Sequence, residues 1–313
     1  MKAESKIYVA GHAGLIGSAV VRALVSRGFR NVITRSRAEL ELTNKNDVEA
    51  FFEKEAPDYV ILAAGKVGGI IDNQTFPADF ISQNLAIQSN VIQAAHRCGA
   101  RRLISFASSC MYPRECPQPM SETVLLSGKP EPTSIAYAVA KLAGMQLCLA
   151  YNQQYKNKNF IPVIPNSVYG PNDNFDPASS HVLSALIRRF HEAKVSGAGE
   201  VTLWGSGAPR REFIHADDVA AASLSLLEAD LSQIEFPINI GSGSDYSIRE
   251  LAELISEVVG FQRNINWDTT KPDGAPRKLL DSSRLLSTGW RPRVEFRTGL
   301  KTTYDWFLQN HCS

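Results

Sequence analysis

The chain has 313 residues, enough for one large α/β domain or a large domain with a smaller companion. Its 33 Lys and Arg against 32 Asp and Glu leave a formal net charge of +1, so there is no electrostatic footprint for nucleic acid or an anionic membrane. With 44% apolar residues, no apolar run near transmembrane length and no apolar core in residues 1–6, a cytoplasmic enzyme without membrane or nucleic-acid partners is expected.

In chain order, the apolar run at 6–10 predicts a strand and 18–27 a helix, joined by Gly11-His12-Ala13-Gly14-Leu15-Ile16-Gly17. Glycines at this spacing let a backbone turn tightly and approach a pyrophosphate, which then rests on the amides at the helix N-terminus. Residues 31–34 read as the second strand. Where an NAD-binding fold ends that strand in Asp or Glu, this chain has Arg35-Ser36-Arg37, and guanidiniums there suit the 2′-phosphate of NADPH. A helix at 47–54 and a buried strand at 57–64 follow, the latter opening into Gly65-Lys66-Val67-Gly68-Gly69-Ile70. A helix at 77–98, a strand at 101–108, a helix at 136–155 and a strand at 160–164 continue the alternation.

Such alternation predicts an α/β fold with a Rossmann-type doubly wound parallel sheet. From Tyr169 the texture changes to a turn-rich loop at 170–177, a helix from 181 to 190 and a short strand at 201–204. Residues 211–222 read as a strand and helix returning to the large domain, 248–259 as an amphipathic helix and 304–308 as a final one. The expected organisation is an NADP-binding domain at 1–168, with 212–242 returning to it, and a smaller C-terminal α/β lobe for substrate at 169–211 and 243–313. Five cysteines without C-x-x-C spacing argue against a disulfide framework or a structural metal site. Cys98 and Cys148 fall inside helical patterns as core residues, whereas Cys110 stands two residues after Ser108.

The chemistry gathers between Ser108 and Lys141. Tyr137-Ala138-Val139-Ala140-Lys141 puts a phenol and an ammonium one helical turn apart on one face. A nearby ammonium is expected to lower the phenol pKa toward the range useful for proton transfer. Ser108 ends the strand before that helix, where open α/β sheets hold ligands. Alone, Tyr-x-x-x-Lys also describes a surface pair on an ordinary helix. Glycine loop, Ser108 and Tyr-x-x-x-Lys in that chain order resemble the extended short-chain dehydrogenases/reductases.

Longer segments narrow the resemblance to the GDP-L-fucose synthase family. They include Lys66-Val67-Gly68-Gly69-Ile70, Ser108-Ser109-Cys110-Met111-Tyr112-Pro113, Asp173-Asn174-Phe175, Ser180-His181-Val182, Trp204-Gly205-Ser206-Gly207 and Lys271-Pro272-Asp273-Gly274. The resemblance implies NADPH-dependent 3,5-epimerisation and 4-keto reduction of a GDP-4-keto-6-deoxy-mannose-type sugar nucleotide, by a homodimer. It implies Tyr137 as proton donor to O4, Lys141 as its electrostatic partner and nicotinamide-ribose contact, and Ser108 as a hydrogen-bond donor to O4. Cys110 would be the epimerisation base and His181 the matching acid. The cofactor would lie against Gly11, His12, Gly14, Leu15, Ile16, Gly17, Arg37, Ala63, Ala64, Lys141, Pro165, Val168 and His181. The sugar nucleotide would meet Val67, Gly68, Asn174, Arg189, Trp204, Arg211 and Asp273.

Chemistry supports this division of labour. Hydrogens on C3 and C5 are acidic because both carbons flank the C4 ketone, and the enolate charge lands on O4. One set of donors at O4 therefore serves enolisation and reduction. Inversion needs acid/base groups on both faces of the ring.

The chain departs from the family pattern at Ala13 (usually Arg), at Gly65 (usually Ala), at Phe106-Ala107 (commonly Leu-Gly) and in an added Arg210. Pro165-Asn166-Ser167-Val168 also replaces Pro-Thr-Asn-Leu, displacing the Asn by one. A related GDP-keto sugar, a heptose or a dideoxy sugar, is thus an alternative substrate, and a 4-reductase without epimerisation an alternative activity. A non-catalytic NADP sensor is a third alternative, against which the retained Tyr137 and Lys141 argue. Cys110 with His181 favours epimerisation.

Overall fold

The computed structural model describes residues 1–177 and 179–312. Its first half runs β1 (Ile7–Ala10), α1 (Leu15–Ser26), β2 (Val32–Ile33), α2 (Lys45–Glu55), β3 (Tyr59–Leu62), α3 (Ile70–Thr75), α4 (Pro77–Arg97), β4 (Arg102–Phe106), α5 (Ile135–Gln154) and β5 (Phe160–Pro165). The second half runs β6 (Ser167–Tyr169), α6 (Val182–Val195), β7 (Glu200–Trp204), β8 (Arg210–His215), α7 (Ala216–Glu228), β9 (Ile238–Ile240) and β10 (Asp245–Ser247). It ends with α8 (Ile248–Val259), β11 (Asn264–Asp268), β12 (Arg277–Lys278), α9 (Ser283–Ser287) and α10 (Phe296–His311).

Six strands pair in parallel in the order β2-β1-β3-β4-β5-β9. The chain steps outward from β1 to β2, then returns to β3 on the other side of β1. Strand order reverses there, and the crevice beyond the carboxyl ends of β1 and β3 is where such sheets bind ligands. Alternate side chains divide the core. Ile7, Val9, Ile61, Ile104 and Val163 pack with Val20 and Leu24 of α1 and Val219 and Leu224 of α7. Tyr8, Val60, Leu62 and Leu103 pack with Phe52 of α2, Val91 of α4 and Cys148 of α5. Both faces are covered, which is why these strands read as unbroken apolar runs.

A second sheet is built on β8, which pairs antiparallel with β10 and parallel with β12 and β6. A third, two-stranded pairing joins β7 and β11 in parallel. Phe190, Leu203, Phe213, Leu251, Ile255, Leu300 and Phe307 form the core of this region, between α6, α8 and α10. The amphipathic reading of 248–259 matches α8, which starts on a reciprocal capping box of Ser247 and Glu250 and ends at left-handed Gly260 (φ 78°).

The structure is thus α/β, a Rossmann-type doubly wound sheet with a smaller α/β lobe. Three details differ from the sequence reading. Strand β8 hydrogen-bonds within the second sheet; what joins the large sheet after it are α7, packed on α1, and β9. The last helix is α10, three turns longer than the expected 304–308 segment. The stretch Pro132–Gln154 is long and apolar enough to cross a membrane, although no such run was expected; here it packs on α4 and β5 and buries Ala138, Ala140, Met145 and Cys148.

Candidate active site

The glycine loop forms a cradle at the switch between β1 and β3. A Cβ on Gly11 (φ 81°) would lie 2.7 Å from the Ala64 amide nitrogen, and one on Gly17 would lie 2.1 Å from the Gly11 carbonyl oxygen. Only glycine lets loop, helix and strand end approach this closely. Gly14 precedes the first turn of α1, Leu15-Ile16-Gly17, without a side-chain cap and with no acidic residue there, and the buried His12 Nδ1 has no partner among the described residues. Unspent amide donors at a helix N-terminus beside an orphaned imidazole nitrogen fit a dinucleotide diphosphate. Ala63 and Ala64 form the facing strand end, Pro165 closes β5, and Val168 lies half-buried in β6.

The basic segment after β2 is already engaged with carboxylates. Arg37 is exposed and its Nε donates to Glu41 at 2.7 Å, while Arg35 bonds Glu55 at 3.0 Å and lies over the Phe51 ring. The Ser36 amide and hydroxyl both donate to Glu39 at 2.7 Å, and these bonds hold the Glu39 carboxyl below the usual carboxylate range.

Beyond β4, Ser108 caps a short 3-10 turn (Ser109–Met111) by accepting the Cys110 amide at 3.2 Å. The Tyr137 phenol, on the first turn of α5 and edge-on to Phe80, is close enough to both residues to feel them. Burial pushes it well above an ordinary phenol and Cys110 adds to the shift, while a hydrogen bond with Ser108 opposes it. This corrects the expectation that Lys141 lowers the phenol. The Lys141 ammonium instead donates to the Phe106 carbonyl at 2.8 Å, with its nitrogen 5.7 Å from the Tyr137 ring centre. Lys141 is only 5% exposed, and burial pulls it down to about 8. The phenol therefore holds its proton at neutral pH, as a donor should, and the ammonium is poised near neutrality.

The remaining predicted residues line two neighbouring loop groups. Gly69 abuts Ser179, its Cβ position 3.3 Å from that carbonyl oxygen, so the loop bearing Val67 and Gly68 meets the segment that leads to His181. His181 is exposed at the N-cap of α6, within electrostatic reach of buried Asp173, and Asn174 donates to Ser179 at 2.8 Å. Trp204 is 70% exposed with the Lys271 ammonium over its ring. Asp273 accepts the Ser206 amide and hydroxyl at 2.9 and 2.6 Å. Arg211 donates to the Arg210 and Ala275 carbonyls at 2.7 Å. Arg189 is exposed on α6. Two further cavities, one walled by Tyr169, His215 and Tyr246 and one by Arg188, His191 and Cys312, lie outside these groups.

Sequence reasoning did not single out Asn84 or Glu212. Asn84 accepts the Lys66 amide and donates to the Lys66 carbonyl, and Gly65 leaves the space that its amide fills. Glu212 is fully buried. A carboxylate directly after Arg210-Arg211 and before the apolar Phe213-Ile214 was the signal available.

Residues 7–241 match the model of the NAD dependent epimerase/dehydratase family. The chain is 56% identical over 310 residues to GDP-L-fucose synthase 1 of Arabidopsis thaliana, covering 99% of this chain and 95% of that one. Among solved structures it is similar to a GDP-mannoheptose C4 reductase from Campylobacter jejuni with NADP bound (TM-score 0.91, 38% identity, 98% of this chain and 99% of that one). It is also similar to a GDP-L-fucose synthetase from Naegleria fowleri bound to NADP (TM-score 0.89, 27% identity, 100% of this chain and 97% of that one).

Proposed function

Since the chain belongs to the GDP-L-fucose synthase family, within the NAD dependent epimerases/dehydratases, we propose that it converts GDP-4-keto-6-deoxy-D-mannose to GDP-L-fucose, with NADP(H) as cofactor. The observation that carries this is the meeting of Ser108, Cys110 and Tyr137 beside buried Lys141, next to a glycine cradle. Residues 1–168 with 212–242 hold the cofactor, and 169–211 with 243–313 the sugar nucleotide.

The cradle amides and Arg37 would hold NADPH, which when bound would supply the hydride for reduction at C4. Cys110 removes the C3 or C5 proton, and His181 returns one from the opposite face. The electron pair released at carbon moves through the carbonyl to O4, where Ser108 and Tyr137 donate hydrogen bonds in a partly desolvated site. Reprotonation at carbon restores the ketone with inverted configuration. On reduction, Tyr137 gives its proton to O4, and Lys141, held on the Phe106 carbonyl, is placed for the nicotinamide ribose. Trp204, Arg211 and Asp273, with Val67, Gly68, Asn174 and Arg189, hold the nucleotide and sugar. The exposed Leu85 of α4 and Val139 of α5 support pairing of two copies through these helices.

A second reading is 4-keto reduction of a related GDP-sugar without epimerisation, favoured by the likeness to the GDP-mannoheptose C4 reductase. Deuterated water separates the two. With keto sugar and NADP⁺, the parent is expected to place deuterium at C3, C5 or both. Cys110→Ala is expected to lose that exchange yet still reduce the ketone with NADPH, and His181→Asn to slow epimerisation more than binding. Exchange in Cys110→Ala at the parental rate would remove Cys110 from the mechanism. NMR of the product identifies the sugar.

A further inference from the structure

Three buried side chains connect the turn that carries Cys110 to the strand that carries Arg211. The Ser109 hydroxyl donates to Asn166 Oδ1 at 3.2 Å, and Asn166 Nδ2 donates to Glu212 Oε2 at 2.8 Å. Glu212 also accepts the Leu280 amide at Oε2 (3.0 Å) and the Gly243 amide at Oε1 (2.8 Å). Its side chain is 0% exposed and Asn166 only 6%. Space is cleared for it: a Cβ on Gly241 would sit 2.4 Å from Oε1.

A buried carboxylate is costly unless every lone-pair direction is used, so one met by three N–H donors is rarely there for stability alone. Apolar packing would hold β5, β8 and β12 together more cheaply. A carboxylate adds direction. It fixes which way the Asn166 amide faces, and hence which of its atoms meets Ser109. With the amide nitrogen on Glu212, the oxygen must face Ser109, and Ser109 can only donate.

We propose that Glu212, acting through Asn166 and Ser109, is a positioning residue for Cys110, the epimerisation base. This rests on the epimerase reading above. Arg211 and Glu212 are adjacent in β8, whose neighbour β12 pairs at Arg277 and Lys278 just before Leu280. Asn166 holds this place between the end of β5 and the start of β6, where its amide meets Glu212.

The test uses the full-length enzyme and deuterium exchange into the keto sugar, beside GDP affinity and thermal midpoints. Asn166→Leu and Glu212→Leu each remove the hydrogen bond between these two side chains, and each is expected to slow exchange on the order of tenfold, the loss of one hydrogen bond to a charged group. GDP affinity should stay within about threefold, a difference below 1 kcal/mol in binding. The double variant is expected to lose little more exchange than either single one, because both act through one chain. Ser109→Ala cuts only the loop end of the chain, leaving Asn166 Oδ1 without its donor, and is expected to slow exchange with only a modest drop in thermal midpoint. It keeps the question open to refutation should the Glu212 variant fail to fold. Parental exchange in Ser109→Ala, or losses of exchange that multiply in the double variant, would overturn the inference. A parent enzyme with no exchange would overturn the epimerase reading and this inference with it.

Discussion

Lys141 combines burial and charge with a proposed catalytic role in one side chain, and its ionisation has a readable consequence for stability. Burial lowers it from 10.5 to about 8, so the folded protein binds fewer protons than the unfolded chain between those values. Stability then rises with pH across that window, and below about pH 8 the full cost of a buried ammonium is present, on the order of 3 kcal/mol. Lys141→Met is accordingly expected to be inactive yet more stable at pH 7, with the gain shrinking as pH climbs from 8 toward 10.5. Denaturant melts of both proteins across that range check it, and a constant gain would contradict the origin assigned to it. Tyr137 answers to rate alone. Tyr137→Phe removes the proton and leaves the ring against Phe80, so reduction is expected to slow by about two to four orders of magnitude with near-parental NADPH affinity. Reduction at the parental rate would exclude Tyr137 as the donor. The order Ser108, Tyr137, Lys141 is legible in the sequence itself, but the direction of the Tyr137 shift is not. Spacing puts the ammonium near the phenol, and cannot reveal that the Phe106 carbonyl engages it.

At the scale of elements, the glycine cradle divides its glycines into those that must be bare and those that are merely convenient. A Cβ on Gly17 meets only backbone, the Gly11 carbonyl and His12 Cα, which cannot swing aside as a side chain would. Gly17→Ala is expected to part helix from loop and to raise the Michaelis constant for NADPH by on the order of tenfold or more, since a one-ångström misplacement is costly. Gly28, at φ 80° past the end of the same helix, has open space around it. Its Ala variant carries only left-handed strain, about 1 kcal/mol, and is expected to melt earlier with unchanged NADPH kinetics. Equal kinetic defects in the two variants would show that helix stability, not the close approach, sets cofactor affinity. Elements such as α4 and α8 were readable because a helix of several turns repeats its apolar period. Strands β6, β9 and β10 were not, because three residues show no period. The chain from Ser109 through Asn166 to Glu212 was hidden for another reason: its links join residues 57 and 46 positions apart, and only the fold brings them together.

For the whole molecule, the exposed Leu85 and Val139 make assembly a measurable expectation. Sedimentation should show twice the chain mass, and Leu85→Glu with Val139→Glu should give a monomer that keeps NADPH binding; an unchanged dimer would place the contact elsewhere. Within one chain, the path of the backbone has a stricter effect. The large sheet receives β9, and α1 receives α7, only after the chain has already built α6, β7 and β8 in the other lobe. A fragment ending at residue 168 would leave the outer edge of β5 unpaired and the α1 side of the sheet partly bare. The smaller lobe, proposed to hold the nucleotide, therefore cannot be exchanged for another by a single splice. Recombination that swapped substrate preference would need breakpoints on both sides of α7 and β9, so diversity among such enzymes is more readily gained by changing loops than by shuffling halves.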